Sequence, residues 1–367
     1  MTISSPIPTR LVLESGFEVR GLAFGVSKPI AGEVVFTTSM TGYVETATDP
    51  SFRGQIVVLT FPLIGNYGVP EKRAEGSIAP PFESSRIQAQ GLVIQDRCLA
   101  PSHFTAQRSL DGWLRDDNVA GLAGVDTRVL TQHLRERGTM MGWLFPESMT
   151  LDEAQARATR VDMKDEVFRL VTPSHVSTHG TTGPRVLLVD CGAKDGIVRA
   201  LLRRGVTVVR APWNAAILDL AKSADGIVIG NGPGDPATLI EFASMVRELL
   251  KHFRKPIFGI CLGHQILSIA AGFKTKRLPY GHRGANQPVL DLSTRRSFIT
   301  SQNHGFEVDT SNGPSDWEPW FVNLNDGSNE GIRCTSAPFR SVQFHPESCP
   351  GPTDTEFLFD DFVNSLK

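Results

Sequence analysis

Over the first 68 positions apolar residues come in short β-rich runs, Arg10 to Leu13, Glu33 to Thr38 and Gln55 to Phe61, broken by glycine, proline and aspartate turns. A further run, Gly91 to Ile94, also reads as a strand. Leu110 to Arg115 and Thr127 to Arg137 switch to helical spacing, the latter with Asp126 as N-cap and Gly138 as C-cap. The stretch Thr38 to Phe52 is rich in hydroxyls and, with Asp49-Pro50, reads by itself as a polar loop. After Phe145 the periodicity fades, and Thr172 to Pro184 combines hydroxyl residues, glycine and proline with little to bury. The pattern thus predicts a β-rich N-terminal domain over 1–150, a linker region over 151–183 and a second domain over 184–367.

The second domain alternates strand and helix. Arg185 to Asp190 is followed by helical Lys194 to Arg204, closed by Gly205, and by a strand over Val206 to Arg210. Gly226 to Gly230, helical Pro236 to Phe253 and the apolar run Ile257 to Ile260 continue it. Such alternation implies an α/β fold with a mostly parallel sheet covered by helices, and sites at the carboxyl ends of its strands.

Three loops there carry chemistry. Gly259-Ile-Cys261-Leu-Gly263 joins a buried strand to a helix ended by Gly272, the form of a nucleophile elbow with a thiol in place of serine. A thiol at a helix N-terminus is favoured as thiolate, although a lone cysteine is more often a buried structural one. Gly230-Asn-Gly-Pro-Gly-Asp-Pro236 leaves a strand and opens a helix, which frees backbone N–H groups for an anion or oxyanion. It lacks the Gly-Lys-Ser/Thr ending of a phosphate loop, and a tight turn is its plainer reading. Ser341 to Glu347 is a strand ending in His345, with Glu347 two residues on across Pro346. A lone histidine is more often structural, but His345 can exchange a proton near neutral pH and Glu347 can orient its ring, which makes them the candidate base and partner for Cys261.

Composition narrows the classes. The 37 basic and 39 acidic residues are scattered and leave a net charge of -2, so no nucleic-acid partner is expected. Five cysteines, Cys98, Cys191, Cys261, Cys334 and Cys349, show no CxxC pair, which argues against a disulfide framework or a zinc site and for a reducing cytoplasm. His175 and His179 have helical metal-ligand spacing, but Pro173 and Gly180 deny them a helix, and no metal is expected. No apolar run approaches a membrane span, and Met1 to Pro8 lacks the apolar core of a leader.

The three motifs, in this order, resemble the class I, triad-type glutamine amidotransferases, whose domain is flavodoxin-like. Ser301 to Phe306, Leu324 to Gly331, Thr38 to Phe52, Gly121 to Arg128 and Gly281 to Asn286 narrow the likeness to the small, glutamine-hydrolysing subunit of carbamoyl phosphate synthetase, over essentially the whole chain. Small departures are Val44, Asp195-Gly196 and Cys349, none of them in the triad. The resemblance implies Cys261 as nucleophile, His345 as acid and base, Glu347 as its orienting partner, and oxyanion N–H groups at Leu262 and Gly234. It implies glutamine contacts at Ser51, Gly232, Gly234, Leu262, Gln265, Asn303, Gly305 and Phe306, of which Ser51 comes from the N-terminal domain. It further implies no cofactor in this chain, and a large synthetase subunit carrying ATP and Mg that receives the ammonia in a heterodimer or higher assembly. The alternatives are a stand-alone cysteine hydrolase of the same fold, an amidotransferase subunit of another synthase, and a non-catalytic scaffold subunit.

Overall fold

A computed structural model describes residues 7–74, 76–164 and 166–366, so the first six residues of the stretch read for a leader lie outside the described residues. The chain divides into two units, Met1–Asp162 and Met163–Lys367.

In the first unit the short β runs close into a seven-stranded barrel. Around it, in spatial order, run Pro8–Leu13, Glu18–Gly25, Ala120–Ala123, Gly91–Val93, Gln55–Leu59, Ile30–Thr37 and Met140–Pro146, which returns to the first. Closure leaves no free edge for unwanted pairing. Phe24, Val57, Leu92, Leu110 and Trp113 belong to one buried cluster, each such side chain contributing ~1.5–3 kcal/mol by leaving water. The expected helix forms over Thr127–Arg137, with the Asp126 carboxylate accepting the Val129 N–H and Gly138 at φ 88°.

Two expectations change. The hydroxyl-rich stretch is not a bare loop: Tyr43–Thr48 is helical and Pro50–Phe52 forms a 3-10 turn. From Tyr43 on its hydroxyl residues are buried, Tyr43, Thr46, Thr48 and Ser51 among them, and the Tyr43 hydroxyl donates to Gly68 O at 2.6 Å. The segment 151–183, read as a linker, carries helices Leu151–Arg157 and Glu166–Val171 and the strand Ser177–His179. The first helix starts on a reciprocal capping box between Thr150 and Glu153, and its Ala154 packs with Val12 and Phe145. That box is legible in the sequence, but a seven-residue helix with one buried residue gives almost no periodicity.

The second unit is built on a ten-stranded sheet. Its parallel centre runs Thr207–Pro212, Arg185–Asp190, Gly226–Ile229, Ile257–Ile260 and Phe339–Val342. Asn329–Cys334, Trp317–Asn323, Lys274–Asp291 and Ser297–Asp309 extend it as an antiparallel platform that strand–helix alternation had no means to announce. Ile257, Phe258 and Ile260 are fully buried, with Phe258 stacked on Phe362 at 5.9 Å and edge-on to Phe359 at 6.1 Å. Burial on both faces explains why this strand reads as a continuous apolar run.

Candidate active site

The elbow is set by close backbone approach. A Cβ on Gly259 would lie 2.7 Å from Gly263 O, and one on Gly263 would lie 2.1 Å from Ile229 O, so neither position admits a side chain. Between them Cys261 is held at φ 55°, ψ -106°, a conformation L-residues rarely adopt, and caps the helix Leu262–Ala271. Strain of this kind persists where the surroundings over-determine it. Cys261 N–H donates to Val342 O at 2.9 Å, and its thiol donates to Asn303 O at 3.6 Å. The Gln343 amide approaches the sulfur at 3.7 Å.

His345 follows the neighbouring central strand, with its N–H on Ser301 O at 2.9 Å. Its Nδ1 meets Glu347 Oε1 at 2.7 Å, which leaves Nε2 unused by any hydrogen-bond partner. Burial disfavours the imidazolium, but Glu347 and then the Cys261 sulfur outweigh it and raise the His345 pKa to about 10. Nε2 is therefore the nitrogen available to Cys261. Burial likewise opposes ionisation of Glu347, yet Lys194 and His345 bring its pKa down to about 2. Lys194 Nζ lies 3.2 Å from Glu347 Oε1 and donates to Ser348 O at 2.6 Å. Sequence reasoning missed this lysine: it lies 153 positions from Glu347 in the chain, and its only local sign is a loop directly after a central strand.

The glycine loop approaches its neighbours closely too. A Cβ on Gly232 would meet Cys191 O at 2.4 Å, and Gly234, at φ 88°, would press one to 2.7 Å from the Phe168 ring. Asn231 is buried, and its Oδ1 accepts the Lys194 N–H at 2.9 Å. Leu262 is the first residue of the elbow helix, so its N–H belongs to the four that a helix leaves unpaired. Gln265, one turn on, spends its amide nitrogen on Phe306 O and Gln343 Oε1, both at 3.0 Å. Asn303, Gly305 and Phe306 share the strand Ser297–Asp309 with the carbonyl that receives the Cys261 thiol. The second unit thus brings together Cys261, His345, Glu347, Gln265, Asn303 and Phe306. Ser51 belongs to the first unit, buried on the Pro50–Phe52 turn, where its N–H donates to Asp49 Oδ1 at 2.9 Å.

Residues 187–365 match the family model "Glutamine amidotransferase class-I", and residues 11–144 match "Carbamoyl-phosphate synthase small chain, CPSase domain". The "Carbamoyl phosphate synthase arginine-specific small chain" of Saccharomyces cerevisiae is 46% identical over 97% of this chain and 88% of its own length. The small chain of the same name from Aspergillus fumigatus is 46% identical over 95% of this chain and 77% of its own length. "Multifunctional protein pyrABCN" of Emericella nidulans is 44% identical over 97% of this chain, which spans only 17% of that longer protein.

Proposed function

The chain belongs to the carbamoyl phosphate synthase small-chain family, and from that premise we propose that it hydrolyses glutamine at Cys261 and passes the ammonia to a synthetase partner. The observation that carries the reading is the strained Cys261 beside a histidine whose far nitrogen is anchored on Glu347. The Cys261 sulfur, its proton held on the His345 imidazolium, attacks the carboxamide carbon of glutamine, and the C=O electron pair moves onto oxygen. The N–H groups of Leu262 and Gly234 hold that oxyanion. The tetrahedral adduct collapses as the C–N bond breaks, and the His345 proton leaves on ammonia. Water, deprotonated by His345, then attacks the thioester; the C–S bond breaks, glutamate departs and the thiol is restored.

Around this centre Gly232, Gln265, Asn303, Gly305 and Phe306 are assigned to glutamine, with Gln265 positioned by its bonds to Phe306 and Gln343. Ser51 of the first unit is assigned to glutamine by the family pattern alone. Ammonium is no nucleophile, so the ammonia must reach the partner without equilibrating with bulk water, and the partner carries the ATP and Mg chemistry. Among the described residues no helix is long and apolar enough to cross a membrane, and all five cysteines are free thiols, which suits a reducing cytoplasm.

The test is the Cys261→Ser chain assembled with its synthetase partner. Glutamine-dependent carbamoyl phosphate synthesis should fall to background while ammonium-dependent synthesis survives. Loss of both, in an assembly shown to be intact, would overturn the donor role.

A further inference from the structure

We infer that His282, His304 and Glu330 form a site for one divalent transition-metal ion of the zinc class, in the antiparallel part of the second unit. The register of Lys274–Asp291 against Ser297–Asp309 sets His282 opposite His304, and Glu330 comes from the strand Asn329–Cys334. All three are buried, and one ligand atom from each lies within 4.8 Å of the other two. His282 Nδ1 is 3.5 Å from Glu330 Oε1, and His304 Nε2 is 4.0 Å from the same oxygen. Ligands about 2.0–2.1 Å from a tetrahedral zinc stand roughly 3.3–3.4 Å apart, so the widest pair must close by no more than about 1.5 Å.

The protons decide the chemistry. His304 Nδ1 lies 2.9 Å from Phe306 O, a carbonyl that can only accept, so this nitrogen carries the hydrogen and Nε2 presents a lone pair. His282 Nε2 lies 2.9 Å from Asp326 Oδ2, so with the hydrogen of the neutral ring placed there Nδ1 is the nitrogen that can turn a lone pair to a metal. Asn323 supports this assignment. Its Oδ1 accepts the Asn325 N–H at 2.9 Å, which turns its nitrogen inward, 2.9 Å from Glu330 Oε1 and 3.4 Å from His282 Nδ1. Glu330 Oε2 is buried with no hydrogen-bond partner. Gln302 adds another acceptor. Its Nε2 donates to Thr300 Oγ1, whose own hydrogen is committed to Gln287 O, so Gln302 Oε1 is left 3.2 Å from His304 Nε2.

Two imidazole lone pairs, a carboxylate and an amide oxygen therefore converge in a buried space. Beyond the Asn323 nitrogen on Glu330 Oε1, these acceptors face one another and have given up their hydration. A cation satisfies all four at once. The outer contacts are those metal-binding histidines usually have, one ring N–H on a carboxylate and one on a backbone carbonyl. Two histidines and a glutamate suit zinc, with Gln302 Oε1 as the fourth donor. Because His304 stands between Asn303 and Gly305, the ion would tie their strand to Asn329–Cys334.

The test uses the full chain without a histidine tag, stripped with chelator, dialysed against Zn²⁺ and then assayed by elemental analysis and calorimetry. One equivalent should remain bound, and the melting temperature should rise with added Zn²⁺. Glu330→Gln and His282→Ala should lose the ion. Asp326→Asn, at a partly exposed position where the amide oxygen can keep the two bonds from Ser328, should weaken binding about 10- to 100-fold. Cys261→Ser should retain it, which separates this site from adventitious thiolate binding. No bound ion in the parent chain, retention undiminished in Asp326→Asn, or loss in Cys261→Ser would each overturn the assignment. A bridging proton in place of a metal would give the first of these results.

Discussion

The second unit buries two histidine–carboxylate pairs, His345 with Glu347 and His282 with Glu330, and they are finished differently. Glu347 has a buried ammonium 3.2 Å away, so its negative charge is fixed and the imidazolium form of His345 is favoured. Among the described residues no lysine or arginine pairs with Glu330; burial pushes its carboxyl up, and one oxygen has no partner. The first pair is a closed relay of alternating charge whose open end, His345 Nε2, is directed to chemistry on Cys261. The second has no ammonium or guanidinium paired with its carboxylate among the described residues, only imidazoles and amides. A buried carboxylate thus does different work according to whether a resident cation has already been supplied.

The contrast breaks most sharply at the first pair. Glu347→Gln keeps the shape but removes the charge that orients and stabilises His345. Glutamine hydrolysis should fall on the order of 10³- to 10⁴-fold in kcat, with KM changed far less. A loss smaller than tenfold, measured as ammonia release at saturating glutamine, would remove Glu347 from the relay. Ammonium-dependent synthesis by the assembled enzyme should be spared.

Next in size is Lys194→Met, which leaves the Glu347 carboxylate without its ammonium. Removing one member of a buried pair costs roughly 3–5 kcal/mol, read here by urea unfolding at pH 7. Its pH dependence follows from the two shifts. Glu347 is depressed from 4.5 to about 2, so its contribution is present above pH 4.5 and is lost as pH falls through about 2. His345 is raised from 6.5 to about 10, so its contribution is full below pH 6.5 and is lost as pH rises through about 10. Lys194→Met should bring the acid limb to higher pH and leave the alkaline limb nearly in place. An unchanged acid limb would show that Lys194 does not hold the Glu347 charge.

The two clusters were not equally legible. Cys261 announces itself because the constraint is local: two glycines two residues away on either side meet backbone at 2.1 and 2.7 Å, and only that geometry requires them. His345 and Glu347 are legible for the same reason, being two residues apart around a proline. Lys194 and Gln343 were not legible, because their approach to Glu347 and Cys261 depends on how central strands are ordered in the sheet. The second cluster lies further out of reach still. His282, His304 and Glu330 stand in three strands outside the strand–helix alternation, and one-residue slips in pairing would turn their side chains to the other face. The family likeness marked all three stretches by their residues without giving them a common purpose. In the first unit the barrel strands were visible as runs, but their closure is a property of pairing that no single run contains.

The smallest effect supplies the control for the largest electrostatic one. Lys255 Nζ lies 3.2 Å from Asp225 Oδ1, the same separation as Lys194 from Glu347, but both side chains are about half exposed where those of the buried pair are nearly dry. Coulomb attraction at equal distance scales inversely with the local dielectric, and water together with salt screens the exposed pair. Asp225 also keeps the Arg185 N–H at 2.9 Å when the lysine is removed, so its carboxylate is not stranded. Lys255→Met should therefore cost less than about 1 kcal/mol, and the difference from the parent chain should shrink further as salt is raised. Lys194→Met should retain most of its penalty in the same salt series, because added ions cannot enter a site that water has left. If the two substitutions cost the same at low salt, distance alone would govern both pairs. The closed relay around His345 would then owe nothing to burial.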